Sequence, residues 1–143
     1  MKKVLFFSFF ILFLVSACKK EESDSRDKYV GVWKVTKTYN IPSLSILDIR
    51  NGVYTISKSS IQSDKILFMS SNSSDILSAI VKGDAYSYES WSYSDIINGE
   101  VYLERYTGNG HLYGNTINES GTININYFGI EYPGTWTATF LKQ

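Results

Sequence analysis

Few residues in this sequence are suited to acid–base chemistry. The single histidine, His111, follows Asn109-Gly110 and would need an orienting partner to act as a general base. Four glutamates could in pairs supply the two carboxyl groups of a glycoside hydrolase: Glu89, Glu100, Glu104 and Glu119. Their separations do not follow from the sequence, and charged side chains are expected on the outer faces of strands. We therefore expect no catalytic residues and interpret His111 as solvent-facing.

Metal, cofactor and nucleic-acid sites have no support in the composition. With one cysteine, Cys18, and one histidine, the chain has neither a disulfide framework nor a Cys/His zinc cluster. It also has no calcium loop, no glycine-rich phosphate loop and no nucleophile elbow around a serine. Fourteen basic and fourteen acidic residues give a formal net charge of zero, which provides no electrostatic footprint for nucleic acid. We expect no metal, no cofactor and no nucleic-acid partner.

Aromatic residues are more suggestive, since the chain has eleven tyrosines and three tryptophans. In segment 86–93, strict alternation places Tyr86 and Tyr88 on one face, and Trp91 and Tyr93 on the other. Inward-facing aromatics can line a pocket, and outward-facing ones can stack on sugar rings. The alternative is a purely structural role, because aromatic residues favour strands and pair across them. The candidate ligand-binding residues are Trp33, Tyr86, Tyr88, Trp91 and Trp136.

Period-two alternation from Tyr29 onward indicates half-buried antiparallel strands. Trp136, Ala138 and Phe140, for example, alternate with threonines. The pattern predicts strands, some of which merge, near 30–39, 44–49, 53–58, 65–70, 76–82, 85–93, 100–106, 111–118, 121–128 and 134–142. For 76–82 a short helix capped by Ser74-Asp75 is the alternative. Turns are predicted at Asn51-Gly52, Gly83-Asp84, Asn98-Gly99, Asn109-Gly110 and Pro133-Gly134.

The two ends of this strand region resemble each other. Segments 29–36 and 132–139 share the pattern Tyr-x-Gly-x-Trp-x-x-Thr. Antiparallel sheets avoid open edges by closing into barrels, so we expect the first and last strands to be neighbours in an antiparallel meander of about eight strands.

Gly31-Val32-Trp33 resembles the Gly-x-Trp signature of lipocalins and the wider calycin group. The closing Gly-Thr-Trp-Thr-Ala-Thr, residues 134–139, is similar to the last strand of small lipocalin-like lipoproteins of Bacteroidetes-type bacteria. The resemblance implies an eight-stranded lipocalin-like barrel over residues 29–143, with Trp33 plugging one end.

The N-terminal 17 residues have the features of a signal peptide. Lys2-Lys3 precede twelve residues, Val4 to Val15, of which only Ser8 is polar, and this run is too short to span a membrane. The sequence Val-Ser-Ala-Cys that ends at Cys18 resembles the lipobox of bacterial lipoproteins. The resemblance implies that Cys18 becomes the lipidated N-terminus; the alternative is an ordinary secretory signal.

Residues 18–28 are expected to join the anchor to the barrel. Residues 19–28 contain no apolar side chain and predict a flexible spacer. The run Cys-Lys-Lys-Glu-Glu also resembles the export signal of Bacteroidetes-type surface lipoproteins. It implies an outer-membrane location through the lipid anchor, with exposure at the cell surface.

These observations favour a lipoprotein that binds a small apolar or amphipathic ligand, or a glycan, without catalysis. The alternatives are a hydrolase or accessory subunit in surface glycan processing, and a structural envelope protein. The interior of the barrel distinguishes them. A cavity of roughly several hundred Å³ with an aromatic wall supports binding, two acids about 5–9 Å apart support hydrolysis, and a filled barrel supports neither.

Overall fold

The computed structural model of the chain describes residues 23–97 and 100–143. This part folds almost entirely into antiparallel strands, with one 3-10 turn at Pro42–Leu44. The strands are β1 Gly31–Ile41, β2 Ile46–Lys58, β3 Lys65–Ser70, β4 Ile76–Lys82, β5 Ala85–Tyr88, β6 Trp91–Ile97, β7 Glu100–Tyr113, β8 Thr116–Tyr127 and β9 Ile130–Lys142. The predicted all-β class is confirmed, and the segment for which a helix was the alternative is strand β4.

Eight of these strands close into a barrel. Their order around it is β5-β4-β3-β2-β1-β9-β8-β7, and pairing between β5 and β7 completes the circle, while β6 continues along the edge of β7 as an additional strand. The first and last strands pair as predicted, with Tyr39 opposite Trp136. An eight-stranded antiparallel barrel fits the lipocalin-like fold that the sequence suggested.

The barrel is closed at one end and open at the other because its strands differ in length. Strands β1, β2, β7, β8 and β9 have 11 to 14 residues, whereas β3, β4 and β5 have 4 to 7. The short strands pair with their neighbours only near the end that contains Trp33. At the opposite end the long strands project past them and form a curved, half-open sheet.

A one-residue shift in register marks the point where the barrel opens. Strand β5 pairs with β7 through Ser87 and Asn109, but β6 pairs with β7 through Trp91 and Tyr106. The extra residue between these pairs is a β-bulge, which bends the strand. Strand β4 pairs with β5 and not with β6, so a gap separates β4 from β6.

The closed end is filled by large side chains. Tyr29 and Trp33 have no exposed surface, and the Trp33 indole Nε1 donates a hydrogen bond to the Tyr29 carbonyl oxygen at 2.8 Å. The Tyr29 hydroxyl in turn donates to the Gly83 carbonyl oxygen at 3.2 Å. Burial of an aromatic side chain of 150–250 Å² contributes about 4–6 kcal/mol. Trp33 therefore occupies the plugging position that the family resemblance implied.

Turn prediction was right at one site and wrong at three. Gly83-Asp84 joins β4 to β5, and Gly83 has the positive φ of 61° that such a turn requires. Three other predicted turns lie inside strands instead, in β2, β7 and β9 respectively: Asn51-Gly52, Asn109-Gly110 and Pro133-Gly134. Asn98-Gly99 lies outside the described residues. As a result, predicted segments 44–49 and 53–58 form one strand, β2.

Residues 24–28, which the sequence assigns to the flexible spacer, contact the closed end of the barrel. The Arg26 guanidinium donates hydrogen bonds to the carbonyl oxygens of Ser59, Gln62 and Lys65 at 3.1–3.3 Å. The same guanidinium forms an ion pair with the Asp24 carboxylate, with 2.6 Å between Arg26 Nη2 and Asp24 Oδ2. Composition does not reveal this contact, because its acceptors are backbone carbonyls of a distant loop. Cys18, the predicted signal peptide 1–17 and residues 19–22 lie outside the described residues.

Candidate functional site

A cavity of about 710 Å³ occupies the open end of the barrel. Its walls come from β1, β2, the start of β4, β6 and β7. The aromatic lining side chains are Tyr39, Tyr54, Trp91, Tyr93 and Tyr106, and the charged ones are Lys37, Arg50, Asp75 and Glu104. A second space of about 140 Å³ lies between Leu77 and Trp91, at the gap between β4 and β6. The cavity therefore exists because β6 separates from β4.

The deepest wall of the cavity is a group of stacked rings. The rings of Trp91 and Tyr106 are parallel within 5°, with centroids 5.0 Å apart. Trp91 also contacts Trp136 edge-on at 6.1 Å, and Tyr39 contacts Tyr106 edge-on at 6.4 Å. Offset-stacked and edge-to-face pairs of this kind each contribute about 0.5–1.5 kcal/mol beyond the burial of area, so the wall is held rigidly.

The five candidate ligand-binding residues occupy three different places. Trp91 lines the cavity. Tyr86, Tyr88 and Trp136 lie beneath it in the core, where the Tyr88 ring contacts Trp91 at 5.0 Å and Trp136 at 6.2 Å. Trp33 lies at the closed end, away from the cavity, with its ring under the Lys142 ammonium at 5.3 Å. The five candidates therefore do not form one binding site.

The prediction that Trp91 faces away from Tyr86 and Tyr88 is wrong. All three side chains point into the barrel, as their ring contacts demonstrate. The reason is the bulge between β5 and β6. It inserts one residue, so the side chains of β6 lie on the opposite face from the one that simple alternation predicts. Tyr93, two residues further on, consequently lies at the cavity as well.

Two glycines in the strands allow large rings to lie against the barrel wall. A Cβ at Gly110 would lie 2.1 Å from the Tyr86 ring, and one at Gly121 would lie 1.9 Å from the Thr107 carbonyl oxygen and 2.6 Å from the Trp136 indole nitrogen. The Trp136 Nε1 donates to that Thr107 oxygen at 3.0 Å. Gly110 is therefore needed for close packing rather than for the turn that Asn109-Gly110 predicted.

Glu119, on β8, is a carboxyl group buried at the centre of the barrel with 4% of its surface exposed. One of its oxygens accepts hydrogen bonds from the Tyr86 and Tyr88 hydroxyls, and the other, Oε2, has no partner. Burial raises the pKa of Glu119 to about 7, although the two tyrosine hydrogen bonds and the Lys37 charge act in the opposite direction. The same burial raises the pKa values of Tyr86 and Tyr88 well above normal, so both hydroxyls are donors.

Lys37 lies in the same row of the sheet as Glu119. Lys37 and Glu119 each pair with Ala138 on β9, whose small side chain leaves space between them. The Lys37 Nζ lies over the Trp136 ring at 4.6 Å and near the Tyr39 ring at 5.8 Å. Burial lowers the pKa of Lys37, and the Glu119 charge counteracts this in part.

The other charged groups of the cavity have closer partners. The Arg50 Nε donates to the Asp48 carboxylate at 2.5 Å, and its guanidinium covers the Tyr39 ring at 5.0 Å. The Glu104 carboxylate accepts hydrogen bonds from the hydroxyls of Tyr102 and Tyr106. Burial and these bonds to Glu104 raise the pKa values of both tyrosines. The phenols are therefore protonated donors at neutral pH.

The four glutamates considered as catalytic acids do not form one group. Glu104 lines the cavity, while Glu119 lies beneath it in the core. Glu89 forms an ion pair with Lys65 at 2.9 Å and is half exposed. The side chain of Glu100 lies outside the described residues. His111 is exposed on β7, stacked on Tyr113 with ring centroids 4.3 Å apart, as expected for a solvent-facing residue.

Sequence reasoning did not identify Lys37 or Arg50 as site residues. A signal for Lys37 was present, because period-two alternation from Trp33 and Val35 places position 37 on the inner face. An inward-facing lysine on a barrel strand is unusual and indicates a polar site. Arg50 carried no such signal, since Asn51-Gly52 suggested a turn beside it.

Within residues 23–97 and 100–143, no group of three His, Cys, Asp or Glu side chains is arranged to hold a metal ion. In the same ranges no helix is long and apolar enough to cross a membrane.

No protein-family model matches the chain, and no curated protein matches it either. A crystal structure of a protein with unknown function from the DUF3598 family of Nostoc punctiforme PCC 73102 is a structural match, with a TM-score of 0.49 and 11% sequence identity. The match covers 82% of this chain and 48% of the other, so this chain spans about half the length of that protein. The assignment of the barrel rests on the strand pairing of the chain itself.

Proposed function

We propose that this protein is a lipid-anchored, lipocalin-like binding protein of the outer membrane whose open-end cavity takes a small amphipathic ligand, without catalysis. The observation that supports the proposal is the cavity of about 710 Å³. Small-molecule sites have volumes of about 300–1,000 Å³, with mostly apolar walls and a few placed polar groups. The volume and the stacked rings agree with that description, while a lysine, an arginine, two acids and four serines make the lining more polar, which suits a ligand with both apolar and polar parts.

An amphipathic ligand has more support than a glycan. Sugar rings bind on exposed aromatic faces, but Trp33 and Trp136 are 0% and 1% exposed. The third tryptophan, Trp91, has one face covered by Tyr106. A ligand that inserts an apolar part between the rings uses the space that is present.

A hydrolase has less support, because it needs two carboxyl groups facing each other at about 5–9 Å. Glu119 does not line the cavity, and one of its oxygens accepts hydrogen bonds from Tyr86 and Tyr88 in the core. Both Glu104 oxygens already accept hydrogen bonds from tyrosines.

Binding can be tested with N-phenyl-1-naphthylamine, a neutral aromatic dye that fluoresces in apolar surroundings. The full chain is placed in lipid nanodiscs, with empty nanodiscs as the blank. Leu77→Trp places an indole in the cavity and should reduce dye affinity at least tenfold. Thr55→Trp adds the same group on the exposed outer face of β2, so its affinity should equal that of the unmodified chain. Equal affinities for both variants, or no binding above the blank, would contradict the proposal.

The anchor can be tested separately by labelling cells with an alkyne-tagged palmitate. Several acyl chains on one cysteine anchor a protein stably, whereas one chain alone binds only marginally. The unmodified chain and a Ser23→Ala control should carry the label in the outer-membrane fraction. Cys18→Ser should carry none, and labelling of that variant would refute the lipobox interpretation.

A further inference from the structure

We infer that the ligand of the cavity carries an anionic group, a carboxylate, sulfonate or phosphate, which pairs with the Lys37 ammonium while its apolar part lies against Trp91 and Tyr106. The inference rests on the proposed function, because it assumes that the cavity is a binding site.

The first support is that Lys37 has no ion-pair partner among the residues that the structure describes. Its Nζ lies against the Trp136 and Tyr39 rings. In the described part of the chain, no carboxylate lies within ion-pair distance of it and no atom accepts a hydrogen bond from it. By contrast, Arg26, Lys28 and Lys142 at the closed end each have an acceptor. Lys142, for example, donates to the Lys28 carbonyl oxygen at 3.1 Å.

The second support is the placement of charge around the cavity. Lys37 and Arg50 are directly opposite each other on β1 and β2, so two positive groups share one wall. Arg50 already has a carboxylate partner on the same strand, Asp48, so Lys37 is the cation of this wall without an ion pair among the described residues. The other acidic groups are elsewhere, with Glu104 on β7 and Asp75 before β4. Glu104 is also bound by two tyrosine hydroxyls, which stabilise its charge locally. An anion is therefore favoured at the wall formed by β1 and β2.

The third support is that Glu119, although its charge acts on Lys37, forms no ion pair with it. It pairs with the far side of Ala138 in the sheet, and its bonded oxygen faces Tyr86 and Tyr88. With a pKa of about 7 it carries only part of a negative charge at neutral pH. Lys37 is half-buried, so the cavity tolerates its charge, and a ligand anion within contact distance would stabilise that charge further.

The test compares two dyes that differ only in charge. N-phenyl-1-naphthylamine is neutral, and 1-anilinonaphthalene-8-sulfonate has the same ring system with one sulfonate. Both are titrated into the full chain in nanodiscs, with empty nanodiscs as the blank. We expect the sulfonate dye to bind the unmodified chain at least tenfold more tightly than the neutral dye.

The matched variants are Lys37→Met and Lys34→Met. Both remove a lysine from β1 with little change in length, but Lys34 is exposed on the outer face. Lys37→Met should lower the affinity for the sulfonate dye at least tenfold and change the affinity for the neutral dye less than twofold. Lys34→Met should change neither, and Lys37→Arg should restore most of the sulfonate affinity.

Each other outcome overturns a definite statement. Equal weakening of both dyes by Lys37→Met means that Lys37 only maintains the shape of the cavity. Unchanged sulfonate affinity in that variant means that the anion binds elsewhere. If the neutral dye binds as tightly as the sulfonate, the anion inference fails and the proposed function stands. If neither dye binds the unmodified chain above the blank, the proposed function itself fails.

Discussion

The closed and open ends of the barrel are built from the same long strands but differ in what lies between them. At the closed end, β3, β4 and β5 complete the circle, and Tyr29 and Trp33 fill the interior with no exposed surface. At the open end β4 and β6 do not pair, and the rings of Trp91 and Tyr106 border a cavity of about 710 Å³.

Strand pairing, rather than side-chain chemistry, decides where this barrel is solid. Aromatic residues line both ends, but they exclude solvent only where strands on all sides bring other side chains against them. Where the bulge after Tyr88 directs β6 away from β4, one side of the interior has no wall. Charged side chains such as Lys37 and Glu104 remain tolerable there because the space is accessible.

Replacing a tryptophan at each end should separate stability from binding. Trp33→Ala removes a fully buried ring with many neighbours and should lower the free energy of unfolding by about 3–5 kcal/mol. Trp91→Ala removes a half-buried ring with three aromatic neighbours and should lower it by about 1–3 kcal/mol. Urea denaturation of the full chain in nanodiscs, followed by circular dichroism, measures both values.

Dye binding provides the second half of the comparison. Under conditions where both variants are folded, Trp33→Ala should bind N-phenyl-1-naphthylamine normally, and Trp91→Ala should bind it at least tenfold more weakly. If Trp91→Ala proves the more destabilised variant, or Trp33→Ala loses the dye, the two ends do not have the distinct roles assigned to them.

The sequence was sufficient to predict the barrel. The repeated pattern around Trp33 and Trp136 predicted that the first and last strands are neighbours, and alternation in the last strand placed Trp136, Ala138 and Phe140 on one face, which is the buried one. Those features depend on local periodicity, which a single sequence records directly.

The site was less predictable because its causes are not local. The extra residue between Tyr88 and Trp91 is recognisable as a bulge only from the pairing with β7, so Trp91 was assigned to the wrong face. Asn109-Gly110 was interpreted as a turn because the ring that needs Gly110, that of Tyr86, is distant in sequence. Glu119 was named only as a possible hydrolase acid, since nothing nearby reveals that two tyrosines bind it.

Glu119, between the two ends, should make stability depend on pH. Its pKa is about 7 in the folded chain against a normal value of 4.5, so the folded state binds the proton more tightly than the unfolded state. The contribution of Glu119 protonation to the free energy of unfolding is fully present below pH 4.5 and is lost as the pH rises through 7. The loss amounts to at most about 3 kcal/mol. Glu119→Gln should lack it.

The measurement is the difference in unfolding free energy between the unmodified chain and Glu119→Gln, taken by urea denaturation between pH 4.5 and 8.5. Groups such as Asp84 and Glu89, whose pKa values are lowered by lysine partners, are present in both chains and cancel in that difference. A difference that stays constant over this range would mean that Glu119 is ionised throughout and that the core holds a full negative charge.

The last prediction concerns Trp136, a core residue between the solid end and the cavity. A methyl group at Gly121 would lie 1.9 Å from the Thr107 carbonyl oxygen and 2.6 Å from the Trp136 indole nitrogen, so backbone and ring must both shift. Gly121→Ala should therefore lower the free energy of unfolding by about 1–3 kcal/mol. Gly52→Ala is the matched control, because its nearest atom would be 3.8 Å away and its φ is ordinary. That variant should change the free energy of unfolding by less than about 0.5 kcal/mol.

Displacement of Trp136 also moves the ring beneath Lys37, so Gly121→Ala should weaken binding of 1-anilinonaphthalene-8-sulfonate as well. If Gly121→Ala is destabilised but binds the sulfonate dye normally, the Trp136 ring can shift without disturbing the cavity.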